Sequence, residues 1–395
     1  MLLTSVTKNA KAISGMEEIE FWRWVSISKD DRKLKLLFKQ DDGYYIGSAG
    51  RLKATLPNDP DSAIFARTSS NAQIGSPTVG LGGKFGDRDD VLGFSLIKIN
   101  LKSGRRQITY RGNPETVDWI VDATGDAVLR IDYDDEKQLR KIFRRRPENK
   151  TFELIEELPE PRADETIINF RGLGQSPNEV LASTSQDRNT RALVAYDVTT
   201  GEKTRAVFEN EDYDIDYVRY DPRTAKVAAV GYTDELPHDV NFDPELQKTQ
   251  TALEAALPNS SVFISSDSAD NTMLLVTATY SDRPRELYLF DKGTNNLSFF
   301  SSYRPQISDR IYATKEEFDF VSEDGLYVNG YLTIPANLNK QNMPLVVLPH
   351  GGPESRTYQS FNWWTFYYAA RGYAVYQPNQ GFLWLRSGVQ GGGLW

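Results

Sequence analysis

The chain has 395 residues, 39% of them hydrophobic and 26% charged, which is long enough for two domains with sizeable cores. Lys and Arg total 46 against 55 Asp and Glu, a formal net charge of −9, and no basic run interleaved with aromatics marks a nucleic-acid face, so nucleic acid is not an expected partner. There are no cysteines, which excludes disulfides, zinc–thiolate centres and thiol chemistry.

No stretch approaches the roughly 20 apolar residues of a membrane helix. The opening MLLTSVTKNAKAISG lacks a basic region followed by a sustained apolar one. No membrane partner is expected, and the chain as written reads as cytoplasmic, or periplasmic if its original N-terminus is missing.

From Phe21 to about Tyr303 the sequence is a series of short alternating segments rich in Val, Ile, Tyr and Phe, separated by Asp, Gly, Asn and Pro turns, the pattern of an all-β repeat. Three segments share a sharper phrase, an alternating strand ending in a polar turn with glycine: Ser95 to Gly104, Arg191 to Gly201 and Arg285 to Gly293. Their glycines lie somewhat under one hundred residues apart, about two units of the roughly 40 to 45 residues that make a propeller blade. Intermediate units lie between them, at Trp119 to Asp135 and Val218 to Asp234, each a strand, a polar turn and a second strand. A two-sheet β-sandwich also uses frequent turns, but the recurring phrase favours repeated units, hence a propeller. The space before the first phrase holds about two blades, so an N-terminal blade can be lacking.

Around Phe318 the character changes. Phe318 to Pro335 reads as two strands about a turn at Asp324 and Gly325, followed by a polar connection through Asn337, Asn339, Lys340 and Asn342. Pro344 to Pro353, PLVVLPHGGP, is a continuous apolar strand of the kind buried in a parallel sheet, running into a glycine turn. Thr357 to Gly372 reads as a helix ended by Gly372, and Tyr373 to Asn379 as the next strand. Strand, helix, strand opens an α/β sheet. The turn His350, Gly351, Gly352 and Pro353 has a chemical use: glycines let the backbone approach a substrate closely, so that an amide N–H can face the oxyanion formed when a serine attacks a carbonyl. By itself the same four residues also make an ordinary β-turn.

Taken together, the repeated β domain, the phrase DGLYVNGYLTIP, the strand and turn PLVVLPHGGP and the segment ARGYAVYQPN resemble the prolyl oligopeptidase family of serine peptidases, in particular its acylaminoacyl-peptidase-like branch, over nearly the whole chain. The resemblance implies an all-β propeller over residues 1–310 followed by an incomplete α/β-hydrolase domain over 311–379. It also implies peptide substrates filtered by the propeller, Gly352 as a donor to the oxyanion, and chemistry that uses neither a metal nor another cofactor.

The family's next phrase, Arg-Gly-Ser-x-Gly-aromatic-Gly, is absent; Gln380 to Trp395 read QGFLWLRSGVQGGGLW instead. One set of codons for this tail, read one base later, encodes Arg-Gly-Ser-Tyr-Gly-Tyr-Gly. The single codon of Trp384 with the first base of Leu385 forces a glycine where the motif needs one. Residues 380–395 are therefore expected to be frameshifted.

A serine hydrolase needs a nucleophile on a strained Gly-x-Ser-x-Gly turn with a histidine base and an acidic partner, and no such turn occurs in the 395 residues. Gly174-Gln175-Ser176 is the nearest approach and reads as a loop. The only histidines are His350 and His238, the latter expected to be solvated in a polar loop. The acidic stretches Asp132 to Glu136 and Glu211 to Tyr217 lack the glycine and spaced glutamate of a calcium loop and read as solvated turns. Catalytic residues are thus none, the oxyanion turn a remnant, and the chain is expected to be an inactive portion of a peptidase. The alternative is a non-catalytic propeller that binds a partner.

Overall fold

The computed structural model describes residues 2–11, 18–38, 50–69, 93–146, 148–159, 168–176, 178–268, 270–307, 313–323, 325, 327–336, 341–351 and 356–379. It has two compact units, Met1–Val230 and Gly231–Trp395.

The first unit is a succession of antiparallel meanders. Strands β1 (Leu2–Lys11), β2 (Glu18–Ile27) and β3 (Leu34–Leu36) form one. A second contains β4 (Arg51–Thr55), β5 (Ser62–Ser69), β6 (Gly93–Asn100) and β7 (Arg106–Tyr110). The third contains β8 (Thr116–Val121), β9 (Ala127–Asp134), β10 (Leu139–Arg145) and β11 (Phe152–Pro159). The fourth contains β12 (Asn169–Leu173), β13 (Glu179–Thr184), β14 (Ala192–Asp197) and β15 (Lys203–Phe208). Strands β16 (Ile215–Tyr220) and β17 (Val227–Thr233) follow.

Alternation along β5 explains how these sheets stack. Successive side chains leave a strand on opposite faces. Ala63 and Phe65 pack with Leu37, Phe38, Ile97 and Ile99, whereas Ile64 and Ala66 pack with Leu96 and Tyr110 of their own sheet and Trp119 of the next. The following pair repeats the arrangement, with Ile120, Leu129 and Ile142 against Phe170, Val180 and Val194. A strand covered on both faces reads as a nearly unbroken apolar run, as SAIFA does. Trp119 is fully buried and donates its indole N–H to the Phe94 carbonyl at 2.6 Å, so its one polar group is satisfied inside the core.

The turns share one device. Asn100 Oδ1 accepts the amides of Lys102 and Ser103 at 3.2 and 2.7 Å, and Asp197 Oδ1 accepts that of Thr199 at 2.6 Å. Four residues beyond each acceptor the backbone turns left-handed, at Gly104 (φ 74°) and Gly201 (φ 77°), where glycine has no Cβ to clash. The third phrase differs from expectation: Asp291 Oδ1 accepts the Gly293 amide at 2.8 Å, but the left-handed residue is Asn295 (φ 52°) and not Gly293. A further copy has Asp134 as acceptor for the Lys137 amide and Gln138 at φ 54°.

In the second unit β18 (Pro237–Asn241) leads into helix α1 (Pro244–Ala256), which interrupts the stretch expected to be all-β. Its start signal is local: the Asp243 carboxylate accepts the Leu246 amide at 2.8 Å, and Pro244 occupies the first turn, where a missing N–H costs nothing. Leu253 and Leu257 then cover the meander of β19 (Ser261–Asp267), β20 (Met273–Thr279), β21 (Glu286–Asp291) and β22 (Asn296–Ser302), packing with Val262, Ile264, Leu274 and Val276.

The chain continues through β23 (Ala313–Glu317), the short pair β24 (Phe320–Val321) and β25 (Tyr327–Val328), β26 (Gly330–Pro335), β27 (Leu345–Val347), helix α2 (Trp363–Ala369) and β28 (Ala374–Pro378). One sheet has the order β23-β26-β28-β27; its first two pairings are antiparallel and β27/β28 is parallel. The expected strand, helix, strand order is present. The helix is shorter than the predicted 357–372, because residues 357–361 are irregular, with a bend at Gln359 and Ser360, and Asn362 caps the helix, its Oδ1 accepting the Trp364 amide at 2.9 Å. Gly372 (φ 88°) ends it as predicted. Of the turn and connection predicted between β24 and β27, Asp324, Asn337, Asn339 and Lys340 lie outside the described residues. Among the described residues no helix is long and apolar enough to cross a membrane.

Candidate functional site

The site of interest surrounds the turn that follows β27. Register places Lys315, Thr333, Val375 and Val346 in one row on one face of the sheet. Helix α2 covers that face, Phe366 and Ala369 packing on Ala313, and Thr333 and Val375 are fully buried. The opposite face presents Leu332, Ile334, Leu345, Val347 and Tyr376 to an apolar groove of about 540 Å³. Strand β27 reads in sequence as one of the kind buried in a parallel sheet, exposed where its flanking strands are missing. Among the described strands it is the terminal one of this sheet, and Leu345 and Val347 are 57% and 56% exposed.

At the C-terminal end of β27 the Leu348 amide still bonds to the Tyr376 carbonyl at 2.8 Å, after which the chain enters the glycine turn. His350 Nδ1 lies 3.3 Å from the Gly351 carbonyl. Its Nε2 is buried and has no hydrogen-bond partner among the described residues. A Cβ on Gly351 would meet nothing within 4 Å among the described residues. Gly352 and Pro353, the other half of the predicted oxyanion turn, lie outside the described residues, as do residues 380–395.

Residues 356–361 lead from the turn to α2 as an irregular strap with a bend at Gln359 and Ser360. The Arg356 guanidinium donates to the Thr233 carbonyl. Asn379, just past β28, brackets Thr357: Oδ1 accepts its amide at 2.6 Å and Nδ2 donates to its carbonyl at 3.3 Å. Lys315 Nζ donates to the carbonyls of Tyr358 and Ser360 at 2.7 and 3.2 Å. The amides of Gln359 and Phe361 bond to the carbonyls of Glu235 (3.3 Å) and Tyr280 (2.8 Å). Neither Asn379 nor Lys315 was singled out from the sequence. The only signal for the lysine was its place at an inward position of ATKEE, and such a position says nothing of a strap arriving from 43 residues downstream.

Burial pushes the Lys315 amine down to about 7. Its Nζ sits 4.9 Å from the centre of the Tyr331 ring, whose hydroxyl is pushed up to about 12, first by burial and then by the charges of Glu317 and Glu235. Glu317 is itself raised above the usual carboxylate range, by burial and by the facing Glu235 carboxylate. Among the described residues no group of three or more His, Cys, Asp or Glu side chains is placed to hold a metal ion.

The remaining sequence candidates are structural. His238 is not simply solvated: Nε2 lies 2.9 Å from Asp234 Oδ1 and its ring stacks on Tyr232 at 5.0 Å. Gly174, Gln175 and Ser176 form the β12–β13 turn, in which the Gly174 amide bonds to the Glu179 carbonyl and Gln175 reaches the Val227 carbonyl. Asp132, expected in a solvated turn, is buried and accepts from Asn113, Thr116 and Arg130; Asp134 pairs with Lys141 at 2.8 Å. In the second acidic stretch Asp214 pairs with Arg191 at 3.2 Å.

No family model matches the chain. It is similar to dipeptidyl aminopeptidase BIII of Pseudoxanthomonas mexicana, with 27% identity over 292 residues, 72% of this chain and 41% of that protein. It is also similar to dipeptidyl peptidase family member 6 of Caenorhabditis elegans, 29% identical over 143 residues, 31% of this chain and 19% of that protein. Each match thus spans less than half of the curated relative. Among solved structures it resembles a prolyl endopeptidase studied for inter-domain dynamics, with a TM-score of 0.57 and 12% identity over 96% of this chain and 54% of that one. A puromycin-hydrolyzing peptidase of Mycobacterium tuberculosis gives 0.54 and 14% over 94% and 57%. At such identities the likeness to solved structures is one of fold.

Proposed function

We propose that this chain, whose relatives and structural neighbours are serine peptidases of the prolyl oligopeptidase and dipeptidyl aminopeptidase family, supplies the β-propeller and the opening part of the α/β-hydrolase domain of a serine-type peptidase. One observation carries the reading: the sheet order β23-β26-β28-β27, in which the parallel pair β27/β28 is bridged by α2 and β27 runs into the His350 turn. In α/β sheets, catalytic and binding groups gather outside the carboxyl ends of parallel strands, which is where both this turn and Asn379 lie.

In this reading the four-stranded meanders are blades, and the substrates are peptides. Chemistry is acyl transfer by a serine activated by histidine and an acid. The glycine turn, through Gly352, would hold an amide N–H toward the developing oxyanion, an interaction worth about 3 kcal/mol in such sites. No nucleophile elbow and no histidine besides His238 and His350 occur in the 395 residues, so the chain alone is proposed to be inactive.

Incubating the purified chain with a fluorophosphonate probe tests this. No labelling is expected, and stoichiometric labelling at any serine overturns the claim of inactivity. Reading the coding DNA beyond Trp395 separates the alternatives. A Gly-x-Ser-x-Gly codon run, reached directly or after a one-base shift near Asn379, supports the peptidase; unrelated sequence favours the non-catalytic binding propeller.

A further inference from the structure

We propose that Lys315 is a positioning residue, a latch that holds the strap 356–361 against the first strand of the sheet and so fixes the segment between the glycine turn and α2. The functional weight of the latch rests on the reading of that turn given above, whereas the latch itself does not.

The hydrogen bonds recorded for the strap go outward, to Thr233, Asn379, Lys315, Glu235 and Tyr280, while within it the Arg356 guanidinium lies 4.9 Å from the centre of the Tyr358 ring. Lys315 takes two of its carbonyls at once, Tyr358 and Ser360. Both would lose this donor, beside a lysine that is itself buried and next to the fully buried Thr333 and Val375, and a backbone carbonyl shielded from water without a partner costs more than the bond itself contributes. A lysine at this inward position, 7% exposed, is otherwise unfavourable. Its retention there follows if the two carbonyls need a donor that only a long side chain from β23 can bring.

The latch is sensitive to protonation. Among the described residues the amine's recorded bonds go to carbonyls and not to a carboxylate. Its ring neighbour is Tyr331 on β26, and the charges acting on that tyrosine are Glu317 on the lysine's own strand, Glu235 and Asp234 on the segment before β18, and Arg356 on the strap, which also brings Tyr358; burial accounts for the lysine's lowered affinity for a proton. A neutral amine has two N–H groups, enough for two carbonyls. Opening the strap returns Lys315 to water, where it regains the ordinary affinity of a lysine and takes up a proton. Between about pH 7 and the ordinary lysine value near 10.5 each rise in pH therefore makes opening harder.

Amide hydrogen exchange of the whole chain, followed by mass spectrometry from pH 6 to 9 and corrected for intrinsic rates, tests this. Strap protection is expected to be flat below pH 7 and to rise up to about tenfold per pH unit above it. It should be flat throughout in Lys315→Met and in Lys315→Arg, which keeps donors but cannot lose its charge. It should keep its rise in Glu317→Gln. Protection in β13 and β14 reports whether each variant is folded. A strap no less protected in Lys315→Met than in the wild type at every pH, or whose protection rises identically in Lys315→Arg, overturns the latch, and neither result bears on the fluorophosphonate test of the peptidase reading.

Discussion

The side-chain amide of Asn379 pairs with the backbone of Thr357 as a neighbouring strand would, accepting its N–H at 2.6 Å and donating to its carbonyl at 3.3 Å, with both residues buried. Asn379→Ala removes both bonds and leaves two backbone groups unsatisfied, which is expected to cost about 2–3 kcal/mol. Asn379→Asp keeps the acceptor, loses the donor and buries a charge, and is expected to be at least as damaging near neutral pH. Urea denaturation of the three proteins measures this. An Asn379→Ala loss within experimental error would mean that water replaces the amide without penalty.

The left-handed turn positions predict stabilising changes. Gln138 and Ala225 sit at φ 54° and 56°, where a Cβ costs about 1–2 kcal/mol. Glycine relieves that strain but has a greater unfolded-state entropy, worth about 0.5–1 kcal/mol. Gln138→Gly and Ala225→Gly are each expected to stabilise by about 0.5–1 kcal/mol. Asn295→Gly should be nearly neutral, because asparagine tolerates this conformation. Thermal unfolding of the single variants ranks them, and a destabilised Ala225→Gly would show that the Ala225 methyl is packed.

These turns also show how much of the fold was readable. Strands such as SLIKIN and ALVAYD announce themselves through β-branched residues and a polar turn, and Gly104 and Gly201 mark the left-handed step. Gln138 and Ala225 make the same step silently, so the corresponding turns carried no such mark in the sequence. Helix α1 had its signal in Asp243 and Pro244 but lay inside a β-rich stretch, where the local cap was outweighed by its surroundings. The candidate site divided similarly. His350 and Gly351 were legible because a glycine turn after an apolar strand is a local pattern. Lys315 and Asn379 were not, because their roles come from a strap that only tertiary packing brings to them.

The carboxylates of Glu235 and Glu317 supply a pH dependence with a definite sign. Glu317 holds its proton more tightly folded than unfolded, through burial and the facing Glu235. Its contribution to stability is therefore fully present below the ordinary glutamate value of 4.5 and is lost as pH rises through the higher folded value. Glu317→Gln mimics the protonated form. It should raise the denaturation midpoint at pH 7 while leaving that at pH 4 close to the wild type's. Equal midpoints at pH 7 would show that the two carboxylates do not repel each other in the folded protein.

The outer edge of the sheet yields the last prediction. Strand β27 pairs with β28 alone among the described strands, and Leu345 and Val347 project from it more than half exposed. An exposed apolar edge strand is a template for pairing with another chain, and inward-pointing or flanking lysines are the usual protection. Substituting Leu345→Lys and Val347→Lys together should therefore reduce aggregation on standing and binding of a hydrophobic dye. Because little packing is lost, the unfolding midpoint should move by no more than about 0.5 kcal/mol. Light scattering, dye fluorescence and urea denaturation on the same samples decide the matter. If the double variant instead loses several kcal/mol, as a core substitution would, then the side chains of β27 are covered in the folded protein and the open apolar groove beside them is filled.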